Sequence, residues 1–254
     1  MRKLLSANFS RLWKSIFFWG AMVATAIGSM TFCFLDYHKS LDNPAAILSV
    51  ESSLFNFLPI IAFACAAFIN QELVTEFDSN TIRNKLIVGH TRFEVYFTNF
   101  ITYVLSSVLL LCVMLVISVI TGYLCFGHFA LDAPQLMILL LSCALIVMIY
   151  AAICMTVGMN IDSKYISVIS NMILLGLQFL AAYLQSTLAE ADMHINDIGR
   201  NVAEFVFDLL PTGQAIQMIE MNFERYIRWP WLSIVVLIVV TVIGYIPFRK
   251  RDIR

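Results

Sequence analysis

Long apolar runs separated by short polar segments fill this 254-residue chain from end to end. A helix needs about 20 residues to cross the hydrocarbon core of a bilayer. Six runs approach or exceed that length: 16–35, 52–69, 95–126, 135–159, 165–185 and 231–248. The second contains Pro59, and the third is long enough to force tilting or projection beyond the bilayer. The pattern predicts an all-α integral membrane protein with six transmembrane helices, forming a single domain over residues 1–254.

The polar segments add detail. Residues 2–14 set Leu4, Leu5, Phe9, Leu12 and Trp13 among Arg2, Lys3, Arg11 and Lys14. This suits an N-terminal helix lying in the membrane interface, and equally a plain positive flank. The run that follows is too long for a signal peptide and lacks a small-x-small cleavage site. Asp42, Asn43 and Pro44 mark a loop, and GHFALDAP at 127–134 marks a tight turn. Within the longest polar segment, 186–230, apolar residues recur at helical spacing on both sides of Pro211: Val202, Phe205, Val206 and Leu209 before it, Ile216, Ile219 and Phe223 after it. Two amphipathic half-helices around Pro211 and Gly213 are expected, as an outer re-entrant segment that gates a path or anchors in the interface.

Composition and charge agree with a membrane protein and orient it. The chain is 60% hydrophobic and 13% charged, with a mean hydropathy of +0.84; soluble domains carry roughly a quarter charged residues. With the N-terminus inside, 12 of the 16 lysines and arginines fall on the cytoplasmic side: Arg2, Lys3, Arg11, Lys14, Arg83, Lys85, Arg92, Lys164, Arg249, Lys250, Arg251 and Arg254. Only Lys39, Arg200, Arg225 and Arg228 fall outside. The positive-inside bias places both termini in the cytoplasm. Eleven of the 17 acidic residues lie on the outer side, as ordinary solvated loops would have them, or as a face that draws a cationic substrate. A net charge of −1 without a basic surface patch excludes nucleic acid as a partner.

Catalytic chemistry finds no foothold in the sequence. The six cysteines, Cys33, Cys65, Cys112, Cys125, Cys143 and Cys154, sit in or beside apolar runs with no metal spacing and read as small buried residues. His38, His90, His128 and His194 fall in or near polar segments, and neither HExxH nor GxSxG occurs. No phosphate-cradling GxxxxGK[ST] loop is present, so any ATPase must be a separate chain. No Asp, Glu, Lys or Arg stands in the middle of a predicted span, where each would cost roughly 2.5–3.5 kcal/mol. No catalytic, cofactor-binding or metal-binding residue is therefore expected, and energy must come from outside the chain.

The segment QELVTEFDSNTIRNKLIVGHTRFE, residues 71–94, carries the most information. Asp78 or Ser79 can cap a short helix through Thr81, Ile82, Lys85 and Leu86, with Ile82, Leu86 and Ile87 on one face and Gly89 ending it. Arg92, Phe93 and Tyr96 then open the third span. Glu72 and Glu76, the Thr81-Ile82-Leu86 core and the Gly89-Arg92-Tyr96 exit together resemble the coupling-helix region of type-2 ABC transporter permeases. The basic N-terminal segment, the six spans and the outer stretch LPTGQAIQ at 210–217 extend that resemblance over most of the chain. Length and loop pattern look most like the bacterial permeases of bacteriocin immunity and peptide export.

The resemblance implies a permease that pairs with a second permease chain, as a homo- or heterodimer, and with two cytoplasmic ABC ATPase subunits that bind ATP and Mg. Residues 78–91 would be the ATPase contact, or else a solvated basic loop. Ala21, Thr25 and Gly28 on the first span, and Asn171 and Gln178 on the fifth, share helix faces that would line a substrate path or dimer interface, or simply pack helices within the chain. The expected cargo is an amphipathic or hydrophobic compound such as a peptide, bacteriocin or antibiotic, as in antibiotic resistance. A membrane scaffold or sensor that binds a peptide and signals through an associated ATPase is the alternative. The two differ in whether the peptide crosses the bilayer.

Overall fold

The computed structural model describes residues 1–42, 50–127, 131–189, 197–223 and 225–251. Asn43, Pro44, His128, His194 and Arg254 lie outside the described residues. Every regular element among the described residues is helical. In chain order these are α1 Arg2–Lys14, α2 Ile16–Asp42, α3 Val50–Phe55, α4 Ile61–Asp78, α5 Thr81–Ile87, α6 Arg92–Phe126, α7 Ala133–Asn160, α8 Ile166–Ala189, α9 Asp197–Leu209, α10 Pro211–Ile219 and α11 Trp229–Lys250.

Five segments are long and apolar enough to cross a membrane: Ile16–Leu41, Arg92–Phe126, Ala133–Asn160, Ser163–Ala189 and Tyr226–Lys250. Residues 52–69, expected as the second span, are not among them. Pro59 has no N–H to donate and disfavours the helical region for the residue before it. The chain accordingly leaves α3 and turns, with the Leu58 N–H bonded to the Phe55 carbonyl and the Ile60 N–H to Phe57, before α4 begins. The amide of Gln178, on α8, donates to the freed Pro59 carbonyl at 2.8 Å.

Helix ends sort to two poles. At one, Arg92 at the start of α6 donates to the Phe248 carbonyl at the end of α11 (3.2 Å), and Arg251 donates to the Met159 carbonyl at the end of α7 (2.8 Å). The N-terminal amine lies 3.6 Å from Glu94 at that same pole. At the other, Tyr37 of α2 meets Phe126 of α6, and the N–H preceding α7, on Leu131, binds Glu51 of α3. Of the lysines and arginines expected inside, Arg11, Lys85, Arg92 and Arg251 bind at the first pole. α3 meets Leu131 at the second pole, and α4 ends beside Arg251 at the first.

α7 and α4 fill the centre, with Phe68, Ile69, Leu73, Ile146, Tyr150 and Met155 buried in one apolar core. The outer faces of α2, α8 and α11 leave large apolar side chains such as Val23, Phe179 and Ile238 exposed, the arrangement a lipid solvent requires. All six cysteines are free thiols; Cys33, Cys65, Cys143 and Cys154 are buried as expected, whereas Cys112 lies on the exposed face of α6.

Candidate functional site

α4 does not end with its apolar part. It continues through the polar residues to Asp78, so Glu72 and Glu76 stand one turn apart on the same face, buried inside the bundle at the basic pole. α1 crosses this face and turns Leu4, Asn8 and Leu12 inward.

Glu76 is the centre of the cluster. Its Oε1 receives Arg11 Nη2 at 2.6 Å and Lys85 Nζ at 2.8 Å, and its Oε2 receives Asn99 Nδ2 at 2.8 Å. Asn8 closes a ring: its amide donates to Asn99 Oδ1 at 2.6 Å and its Oδ1 accepts from Lys85 Nζ at 3.0 Å. Arg11 Nε also approaches Glu72 Oε2 at 3.3 Å, an ion contact without hydrogen-bond alignment. Two carboxylates thus meet two cations from α1, α4 and α5, with α6 supplying the amide. Burial pushes the Glu76 carboxyl up, but the charges of Lys85 and Arg11 outweigh it and hold the group below the usual carboxylate range.

α5 is fixed on this knot. Its N-cap is Asn80, in the left-handed conformation at φ 53°, rather than the expected Asp78 or Ser79, which are exposed at the end of α4. Ser79 instead donates to the Thr75 carbonyl. Thr81 is half-buried, Ile82 is 1% exposed within the core, and Leu86 packs against the same core. Ile87 does not share their face. Five residues from Ile82 it has turned about 140°, and it stands 71% exposed beside Val88 at 79%. Arg83 is exposed as well. Gly89 ends the helix at φ 101°, a left-handed position suited to glycine, with the His90 N–H returning to the Lys85 carbonyl at 3.2 Å. Thr91 and Glu94 then form a reciprocal capping box that starts α6.

Arg92 binds the Phe248 and Arg251 carbonyls. Arg251 in turn reaches the Met159 and Ile161 carbonyls and Asp162, and lies over the Phe77 ring. The basic pole is therefore tied twice, once by the Glu76 knot and once by these arginines at helix C-termini.

The remaining expected site residues make contacts within the chain. Ala21 and Thr25 are buried, with the Thr25 hydroxyl bonded to the Ala21 carbonyl. A Cβ at Gly28 would meet the Phe57 ring at 2.4 Å, so α2 lies close to the α3–α4 turn there. Gln178 is committed to Pro59, and Asn171 is half-buried on α8. Pro211 opens α10 and is buried; a Cβ at Gly213 would stand 2.1 Å from the Phe207 carbonyl oxygen, which is why α9 and α10 can meet so closely. The sequence reading reaches Arg11 only as a member of the basic N-terminal segment, and Asn8 and Asn99 not at all. The one local hint was a polar residue on the apolar face of α1, at Asn8.

No curated protein matches the chain. A model of a protein family of unknown function, DUF2705, matches residues 12–254, and the chain belongs to that family.

Proposed function

We propose that this chain is the transmembrane permease subunit of an ATP-driven exporter of amphipathic or hydrophobic compounds, resembling the type-2 ABC permeases. It would sit in the plasma membrane with both termini cytoplasmic, and the α3–α4 pair would serve as a sixth, broken span. A second permease chain and cytoplasmic ATPase subunits, which bind ATP and Mg, would complete it.

One observation carries this reading: α5 has two unlike faces. Its inner face is held by Ile82 and by Lys85 on the buried Glu76, and its outer face offers Arg83, Ile87 and Val88 to the medium. A force applied to that outer face would reach α1, α4 and α6 through short charge-assisted bonds, the kind that resist stretching. Exposed apolar residues flanked by a cation suit a partner's groove.

Co-purification with a Walker-motif ATPase tests it. Replacing both Ile87 and Val88 with Asp should leave the chain folded, since both are exposed, and abolish capture of the ATPase. Full transport by the isolated chain in ATP-free liposomes would sink the proposal.

A further inference from the structure

Cys33 and Cys125 come together at the pole opposite the basic one. Cys33 lies on α2 and is fully buried; Cys125 is the last residue but one of α6 and is half-buried. Their thiols face each other within reach of both charge and hydrogen-bond interaction. Surrounding contacts hold the two helices together at this level. One turn beyond Cys33, the Tyr37 ring meets that of Phe126, the neighbour of Cys125, with centroids 6.2 Å apart. A Cβ at Gly122 would stand 2.7 Å from Ser53 Oγ, so α3 presses on the same end of α6. A disulfide needs cysteine side chains aimed at each other from adjacent backbones, and this pair is so placed.

Depth sets the pair apart from the other thiols. α6 has 35 residues, about 52 Å of helix at 1.5 Å per residue, against about 30 Å of hydrocarbon. With Arg92 at the basic pole, its last turns stand beyond the apolar layer. Asp36, in the turn after Cys33, accepts from the Asn56 amide and pairs with Lys39 at 3.4 Å, which marks a polar level. Cys65, Cys143 and Cys154 are instead enclosed in the apolar core, and Cys112 precedes Cys125 by about three and a half turns on the same helix.

We propose that Cys33 and Cys125 form a disulfide when the outer side of the membrane is oxidising. The oxidant is an organic disulfide, of a small thiol or of a protein. Half-buried Cys125 is the thiol it can reach. The Cys125 thiolate attacks one sulfur of the oxidant and expels a thiolate; the Cys33 thiolate then attacks Cys125 Sγ and expels the second. The two cysteine protons pass to the two leaving thiolates, so the pair loses two electrons and the oxidant leaves as two thiols. The bridge would tie α2 to α6 at the outer pole, as the Glu76 knot ties α1, α4, α5 and α6 at the basic one. The inference takes from the export reading only the orientation that puts this pole outside.

The test treats the full chain in phosphatidylcholine nanodiscs with oxidised glutathione, blocks remaining thiols with a maleimide, and reads the digest by mass spectrometry. The peptides of Cys33 and Cys125 should be joined in most chains and separate on adding dithiothreitol. Linked chains should melt several degrees higher than reduced ones, a rise that Cys125→Ser abolishes. Glutathione held on Cys125 without the link, or Cys125 joined to Cys112 or between two chains instead, would overturn the assignment. Oxidised glutathione added outside intact cells, pretreated with dithiothreitol, should make the same link. A link that forms in inverted vesicles but not in cells would reverse the proposed orientation and leave the pair standing; no link in nanodiscs would sink this inference and leave the export reading untouched.

Discussion

At the scale of single residues, Glu76 has the most to lose. It is cut off from water and answers to Arg11, Lys85 and Asn99 at once. Glu76→Gln keeps the shape, leaves Lys85 without a carboxylate and leaves Arg11 with Glu72 alone. Removing one member of a buried pair costs roughly 3–5 kcal/mol; because Arg11 keeps partial access to solvent, the low end is expected. The carboxyl is held below its unfolded value of about 4.3. Its stabilisation is thus complete above that pH and disappears as pH falls through the folded value. Thermal unfolding in detergent should show Glu76→Gln less stable at pH 7, with the gap from wild type closing below pH 4. A constant gap at both pH values would contradict the role of the charge. The acidic half of this cluster was legible, since Glu72 and Glu76 follow an apolar run directly. The rest was not, because Asn8 meets partners 77 and 91 residues away, a distance no local pattern records.

Among elements, proline placement explains both what local pattern foretold and what it missed. Pro211 and Gly213 stand at the corner between α9 and α10, where the spacing of apolar residues predicts a break. Pro59 lies inside the equally apolar run 52–69, expected to cross as one span, yet it divides α3 from α4, and the turn finds a donor in Gln178. Hydropathy measures how apolar a run is and says nothing of whether another helix will satisfy its broken bonds. The α9–α10 corner can be tested by Gly213→Ala, whose new methyl overlaps the Phe207 carbonyl. Overpacking of this kind costs about 1–3 kcal/mol, whereas Gly20→Ala, with open space around it, should be neutral or mildly stabilising in the same melting experiment. Equal behaviour of the two variants would mean that the corner gives way freely.

For the whole molecule, the pole where Arg92 and Arg251 meet the C-termini of α7 and α11 joins segments far apart in sequence. Which pole faces the cytoplasm is a question for labelling. In a cysteine-free background, Lys14→Cys and Arg249→Cys should resist a membrane-impermeant maleimide in intact cells and react in inverted vesicles, while Ser186→Cys should do the reverse. The opposite pattern would invert the orientation, and uniform labelling would deny a transmembrane arrangement.

The two ties at the basic pole differ in when they can form. The Glu76 knot uses only residues 8–99, so it is available to the nascent chain before its second half has been inserted. The arginine tie needs Phe248 and Arg251, and until α11 arrives Arg92 and the carbonyls of Met159 and Ile161 wait without those partners. Assembly of the basic pole is thereby divided into an early tie within residues 8–99 and a late closure that waits for α11.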